Sequence, residues 1–239
     1  MVLLSAYRLA LDSILRAFQR AATPLVANAD LGAKETAQAL FELVSAFRGD
    51  AALQANQLLI DSAAELGREA FIPRADVYTA EAIEKVLREA RSPVQVVEAL
   101  SRHVEQGARR QVMAAVPDDP FSRDAPSNVG SVDGGAQVVY PKAWARMLTG
   151  ADNCPFCVML ASRGAVYSSR TRAGSDVYRF HNNCDCVVVP VFDLDNWVGK
   201  STADYLYGIW RENGSLKSLS NYLKENSLSV PDMRAGLAA

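Results

Sequence analysis

The feature that most constrains this 239-residue chain is a cluster of its four cysteines and one of its two histidines. Cys154 and Cys157 form a C-x2-C pair, and His181, Cys184 and Cys186 follow as H-x2-C-x-C. A thiolate pair followed by a second group of Cys and His is typical of a tetrahedral zinc site. The sequence therefore predicts a structural zinc site with five candidate ligands for four positions.

We expect Cys154, Cys157, His181 and Cys184 to bind the metal. Because side chains alternate along an extended chain, Cys186 is expected on the same face as Cys184. It either replaces His181 as a metal ligand or contacts the ligands without binding the metal. Two alternatives stay open at this point, a disulfide-locked or metal-free thiol cluster and a catalytic site. The absence of an export signal favours ligands over disulfides.

Several catalytic interpretations of the cluster lack the residues that they require. Cytidine-type deaminases place H-x-E before P-C-x-x-C, whereas here His181 follows the cysteine pair. The other histidine, His103, is predicted to be exposed on a distant helix, which leaves a His-Asn-His nuclease without its second histidine. A nucleophilic Cys154 or Cys184 with His181 as base remains open. We predict a protein that is not an enzyme.

Four arginines surround a predicted hairpin within the cluster. Arg163, Arg170, Arg172 and Arg179 are opposed there only by Asp176. They form either a solvated turn or a surface that contacts phosphate or an acidic partner.

Residues 1–115 are rich in helix-forming residues with apolar positions three and four apart, which predicts amphipathic helices. The first helix is expected to end before Pro24. The second begins near Ala33 and is either one helix or two, with a weak point at Gly49. These helices predict a bundle or a set of extended helices.

Two further helices complete this half. The third is predicted to start at Thr79. The fourth has Ser92 as its N-cap, Pro93 at its first position and Gln95 completing a capping box. Residues 116–138 concentrate Pro, Gly, Ser, Asp and Asn, which indicates a linker.

Residues 139–239 are predicted to form a small α+β module that contains the Cys/His cluster. Residues 140–150 are expected to form a short helix with Trp144 facing inward, and residues 187–192 an apolar strand. The predicted hairpin pairs two strands at residues 165–167 and 177–180, and helices are expected over residues 201–211 and after Ser215. The predicted fold class is therefore α+β, a helical N-terminal part followed by this module.

The charge balance argues against a chain whose main partner is nucleic acid. The chain has 25 basic and 27 acidic residues, so its formal net charge is -2. Its N-terminal stretch is interrupted by charges and predicts an amphipathic helix, and no run approaches the roughly 20 apolar residues of a membrane span. We therefore expect no membrane partner.

The runs C-P-F-C-x-M-L-x-S-R-G at residues 154–164 and F-H-N-N-C-D-C-x-V-x-P-V at residues 180–191 resemble the signature of the phage Mu F-type (MuF-like) minor head proteins. The resemblance covers about residues 140–195. It implies a minor capsid, or head morphogenesis, protein of a tailed phage. Such a protein is made in the host cytoplasm and lies inside the capsid near the portal.

The resemblance also implies partners, namely the portal protein and the major capsid or scaffold protein, with packaged DNA as a further candidate. The alternative is a metal-dependent, nuclease-like enzyme acting on nucleic acid, or a capsid maturation factor acting during head assembly.

Overall fold

The computed structural model describes residues 2–28, 30–117, 138–149, 153–167, 186–226 and 228. Four helices make up the N-terminal part: α1 (Val2–Ala27), α2 (Ala33–Ala64), α3 (Ala80–Glu89) and α4 (Pro93–Ala114). α1, α2 and α4 pack against one another along their apolar faces, and α3 packs against α2 and α4. Within the described ranges, the structure shows no helix with the length and apolar character needed to cross a bilayer.

The prediction that the first helix ends before Pro24 is wrong, because α1 continues through this residue to Ala27. A proline inside a helix costs about 3 kcal/mol, since it lacks an N–H donor and its ring crowds the preceding turn. Leu25 and Val26, beyond the proline, pack against the buried core, and Pro24 itself is exposed. The packing of the last helical turn against the core thus outweighs the tendency of Pro24 to end the helix.

The second helix is a single element of 32 residues. Gly49 lies on its exposed side, and a Cβ built there would meet nothing within 4 Å. At Gly107 of α4 the situation differs, because a built Cβ would lie 2.7 Å from the carbonyl oxygen of Arg48. Gly107 therefore allows α4 to approach the backbone of α2 closely.

The predicted starts of α3 and α4 are confirmed. Thr79 is the N-cap of α3, and the Ser92 side chain accepts a 3.3 Å hydrogen bond from the backbone N–H of Gln95. The Gln95 side chain in turn accepts a 2.8 Å bond from the backbone N–H of Arg91, one residue before the position that a standard capping box uses. The residues around each helix start were therefore enough to predict where α3 and α4 begin.

The prediction of a short helix over residues 140–150 is wrong. Ala143–Met147 form a strand, β3, which pairs antiparallel with β4 (Val187–Val191) with Trp144 opposite Pro190. All five β3 residues are buried, and the other edge of β3 bonds to Tyr167, whose carbonyl accepts from the Trp144 N–H at 3.1 Å. A short isolated helix is marginal, whereas pairing on both edges satisfies this buried backbone.

The structure also contains a parallel pair of short strands, two residues each, that the sequence did not predict. β1 (Glu69–Ala70) pairs with β2 (Val138–Val139), and the rings of Phe71 and Tyr140 lie 4.7 Å apart just beyond the pair. The pair joins the chain after α2 to the chain before β3. Its shortness explains why no periodic signal marks it.

Within the described residues three further helices follow, and the last two match the helices predicted over residues 201–211 and after Ser215. The three helices are α5 (Pro155–Ala161), α6 (Lys200–Asn213) and α7 (Leu216–Glu225). Gly214 ends α6 in the left-handed conformation at φ 65°, and the Ser215 side chain caps α7 by accepting from the Ser218 N–H at 3.1 Å. The predicted strand over residues 187–192 is confirmed as β4.

One connected buried core includes Leu40 and Leu100 from the helical part and Trp144 and Val188 from the sheet. The protein is thus mostly helical with small strands. The division into residues 1–115, 116–138 and 139–239 stays a prediction.

Candidate metal centre

The C-x2-C pair lies at the start of α5. Cys154 is the N-cap, Pro155 occupies the first turn, and the Cys154 Sγ accepts a 3.2 Å hydrogen bond from the backbone N–H of Cys157. Cys154 is half-buried, whereas Cys157 is only 3% exposed. An N–H donor and the positive end of a helix both favour a thiolate. This geometry suits a zinc knuckle, and it also suits an ordinary helix cap.

Cys186 lies immediately before β4 in a different environment. It is fully buried, and its Sγ accepts a 3.5 Å contact from Nη1 of Arg146 on β3. Its carbonyl oxygen accepts a 3.0 Å bond from Nη2 of Arg109 on α4. Two guanidinium groups from different elements therefore hold this cysteine, so Cys186 also has a packing role that is independent of metal.

Arg109 continues this contact into a buried ion-pair cluster that sequence reasoning missed. Its Nη2 lies 2.7 Å from Oε1 of Glu105, and Arg8 of α1 approaches the same oxygen at 3.7 Å. Burial raises the pKa of Glu105, and the nearby Arg109 opposes that rise. Burial also raises the pKa of Tyr7. The sequence signal for this cluster was the i,i+4 spacing of Glu105 and Arg109. The same spacing is common on exposed helix surfaces, so it does not indicate a buried ion pair.

The structure places only some of the predicted site residues. His181, Cys184, Arg170, Arg172 and Arg179 lie outside the described residues. Arg163 is exposed at the end of α5, and its side chain hydrogen-bonds the buried Tyr167. Among the residues that the structure does describe, there is no group of three or more His, Cys, Asp or Glu side chains able to hold a metal ion. The four-ligand set therefore stays a prediction.

The prediction that His103 is an exposed helical residue is wrong. Its Nδ1 lies 2.7 Å from the Tyr78 hydroxyl, and its ring is half-buried. Burial, and then the neighbouring cations beginning with Arg102 and Arg48, lower the pKa of His103 from 6.5 to about 4. The segment that leads into α3 covers this face of α4, which sequence periodicity could not show.

His103 belongs to a second buried polar cluster. Arg48 of α2 donates to the His103 carbonyl at 2.5 Å, and its guanidinium stacks 4.6 Å from the centre of the Tyr78 ring. Asp76 binds both Arg48 and Arg110, each at 2.7 Å. Nearby, Gln111 donates to the carbonyl of Pro73 at 2.7 Å. These contacts fasten the chain between β1 and α3 to α2 and α4.

The described residues thus define a class: a mostly helical protein in which a C-x2-C helix and a two-stranded sheet share one core with a helical N-terminal part. The chain belongs to the VG15 protein family, which it matches over residues 2–213.

Two curated relatives are phage proteins. The chain is 34% identical to the Gene 15 protein of Mycobacterium phage D29 over 165 residues, which cover 56% of this chain and 54% of the relative. It is 33% identical to the Gene 15 protein of Mycobacterium phage L5 over 175 residues, covering 57% and 54%. The chain therefore spans about half the length of these relatives. No solved structure matches it.

These relatives confirm the phage context that the resemblance implied. The narrower assignment to the MuF-like minor head proteins stays a prediction.

Proposed function

We propose that this chain is a non-catalytic minor component of a tailed-phage head, made in the host cytoplasm and placed inside the capsid near the portal. Its partners are the portal protein and the major capsid or scaffold protein, with packaged DNA as a further contact. The observation that carries the proposal is membership of a phage protein family over residues 2–213. The MuF-like pattern at residues 154–191 supplies the narrower role.

A structural zinc ion is part of the proposal. Cys154 and Cys157 would supply two thiolates, with His181 and Cys184 completing the set and Cys186 replacing His181 if needed. The Cys157 N–H directed at the Cys154 sulfur fits a ligated thiolate. Structural zinc contributes about 10–16 kcal/mol of apparent binding energy in small modules. The ion would fasten the start of α5 to the chain before β4.

The burial of Cys157 and Cys186 argues against either of these two as a nucleophile. Cys157 and Cys186 are 3% and 0% exposed, whereas a catalytic thiolate needs access to its substrate. His103 is already engaged by Tyr78. These two thiols and His103 therefore suit packing better than turnover.

The test is the composition of purified phage heads. Quantitative mass spectrometry of procapsids and mature virions should find the protein at a constant ratio to the portal protein. Native purification of tagged portal should recover it. The proposal fails if the protein is absent from both particles and is not recovered with the portal.

A nuclease assay tests the alternative function directly. Purified, zinc-loaded protein should leave phage DNA intact, and His181→Ala should lose bound zinc and stability together. DNA cleavage by the native protein that disappears in a stably folded His181→Ala variant would establish the nuclease-like enzyme instead.

A further inference from the structure

A pocket of about 200 Å³ lies between the first turn of α1, the last turns of α2 and the chain that follows β4. Its apolar lining includes Leu4, Leu58 and Phe192. An apolar cavity of about 150 Å³ is large enough to bind benzene, so this pocket has room for one large apolar side chain. The pocket therefore has the size and the lining of a docking site for a single side chain.

Two apolar side chains of the lining are exposed to solvent. Leu66 is 50% exposed and Val198 is 40% exposed. Single exposed apolar residues are common, but apolar residues grouped around one concave surface mark sites of interaction. A side chain placed against Leu66 and Val198 would remove its own apolar surface and theirs from water.

Both charged residues that line the pocket are acidic, namely Glu65 and Asp193. Glu65 is exposed, and its side chain has no ion pair among the residues that the structure describes. Asp193 accepts a 3.0 Å hydrogen bond from the backbone N–H of Asp195, which uses one of the about four acceptor positions of a carboxylate. Both side chains can therefore accept hydrogen bonds from a cationic group.

The chain around the pocket is also acidic. Residues 2–7, 58–70 and 186–198 together carry five acidic residues and one basic residue. The basic residue, Arg68, is exposed and does not line the pocket. An acidic surface repels the phosphates of nucleic acids and of anionic lipids, whereas it attracts Lys and Arg side chains. The pocket thus suits a cationic segment of a protein.

We propose that this pocket docks a segment of a protein partner that inserts one large apolar side chain and places an adjacent Lys or Arg against Glu65 and Asp193. The apolar lining supplies affinity, and the two acidic residues select the cationic neighbour. The identification of that partner as a head protein rests on the proposed function, whereas the binding chemistry does not.

The chain contains three tryptophans, which allows a direct test by NMR. Trp197 lines the pocket, whereas Trp144 is fully buried and Trp210 lies outside the lining. Titration of the full chain with N-acetyl-leucyl-lysine amide should shift the indole N–H signal of Trp197 saturably and leave the other two unchanged. A ligand of this size is expected to have a dissociation constant on the order of millimolar. N-acetyl-leucyl-glutamine amide, which lacks the positive charge, should bind several-fold more weakly.

One pair of variants assigns the charge preference to the pocket. Glu65→Gln should weaken binding of the lysine peptide several-fold and leave binding of the glutamine peptide unchanged. The matched control is Glu69→Gln, because Glu69 is an exposed acidic residue of β1 that does not line the pocket. This control should leave both affinities unchanged.

A second pair assigns the apolar contact. Leu66→Ser should weaken both peptides alike, since it removes part of the apolar lining and no charge. Leu53→Ser is the control, because Leu53 on α2 is 62% exposed and lies outside the lining. An unshifted Trp144 signal in each variant reports that the fold is retained, because that ring stacks on Tyr167 at 4.5 Å.

Three results would overturn the proposal: absence of saturable Trp197 shifts with the lysine peptide, equal affinities for the two peptides, or equal effects of Glu65→Gln and Glu69→Gln. A Trp197 shift produced by magnesium chloride and not by the peptide would assign the acidic side chains to a metal ion instead.

Measuring Glu65→Lys in purified heads separates this proposal from the proposed function. This variant should bind the lysine peptide poorly and be depleted from heads. If native protein binds the lysine peptide but never enters heads, the pocket stands and the proposed function fails. If Glu65→Lys enters heads like the native protein, the pocket is not the attachment point.

Discussion

Arg48 of α2 donates two 2.7 Å hydrogen bonds from Nη2, one to each carboxylate oxygen of Asp76. The arginine is only 5% exposed and the aspartate 24%. Arg110 of α4 binds the same carboxylate at 2.7 Å. One acidic residue in the chain between β1 and α3 thus neutralises cations on two helices and fixes their position relative to each other.

Removal of the Asp76 charge should therefore destabilise the protein strongly. Breaking a buried ion pair costs about 3–5 kcal/mol, and partial exposure of Asp76 places Asp76→Asn at about 2–3 kcal/mol. Urea unfolding monitored by circular dichroism would measure this loss. The control is Glu89→Gln, which breaks an exposed pair with Lys85 and should change stability by less than about 1 kcal/mol. Equal effects of the two variants would contradict the role of Asp76.

Protonation of His103 should destabilise the fold in mild acid. Its pKa is lowered by burial from 6.5 to about 4, so the unfolded chain binds a proton at a higher pH than the folded chain. The stabilisation is fully present above pH 6.5 and is lost as the pH falls toward 4. The partial exposure of His103 reduces this effect, so the expected loss in the free energy of unfolding is about 2 kcal/mol.

The measurement is the free energy of unfolding between pH 7 and pH 4.5. Because other groups also titrate in this range, the native protein is compared with His103→Gln, which cannot acquire the charge. The variant should lose less stability over this interval. Parallel pH profiles would show that His103 is solvated in solution and would refute the prediction.

Substitution of Gly107 should reverse the usual effect of replacing a helical glycine. Gly→Ala inside a helix normally gains up to about 1 kcal/mol. At Gly107, however, the new Cβ would lie 2.7 Å from the Arg48 carbonyl oxygen, and overpacking of this kind costs about 1–3 kcal/mol. We expect Gly107→Ala to lower the thermal midpoint. Gly208→Ala on α6, where a built Cβ meets nothing within 4 Å, should raise it or leave it unchanged. A midpoint raised by both variants would mean that α2 and α4 are less tightly packed than described.

Cys154 can be tested for its two roles at once. Serine is a good N-cap but a poor zinc ligand, so Cys154→Ser preserves a cap and destroys a metal site. We expect Cys154→Ser and Cys154→Ala both to lose bound zinc, measured by elemental analysis, and both to be strongly destabilised, with Cys154→Ala losing about 1 kcal/mol more because it also loses the cap. If Cys154→Ser keeps native stability while Cys154→Ala loses about 1 kcal/mol, Cys154 is only a cap. Ser92→Ala is the matched control, since it removes a cap and should leave zinc content unchanged.

Sequence reasoning was accurate where the signal was local. Ser92, Ser215 and Gly214 each act within one helical turn of their own position, so a few neighbouring residues suffice to predict them. The prediction that the first helix ends before Pro24 was wrong because the packing of the residues after Pro24 outweighs the tendency of proline to end a helix.

Within the candidate site, the sequence by itself determined which residue types are available, a C-x2-C pair followed by further Cys and His residues, whereas the structure placed Cys154 at the N-terminus of α5. Only the tertiary structure decided that Arg146 and Arg109, 40 and 77 residues before Cys186, hold that cysteine in the core. It also decided that Ala143–Met147 form a strand, because the β4 edge that satisfies their backbone lies far along the chain. Contacts across such separations leave no periodic trace in the residues that make them, which is why composition and spacing could predict helices and name candidate ligands but could not predict the buried partners of either.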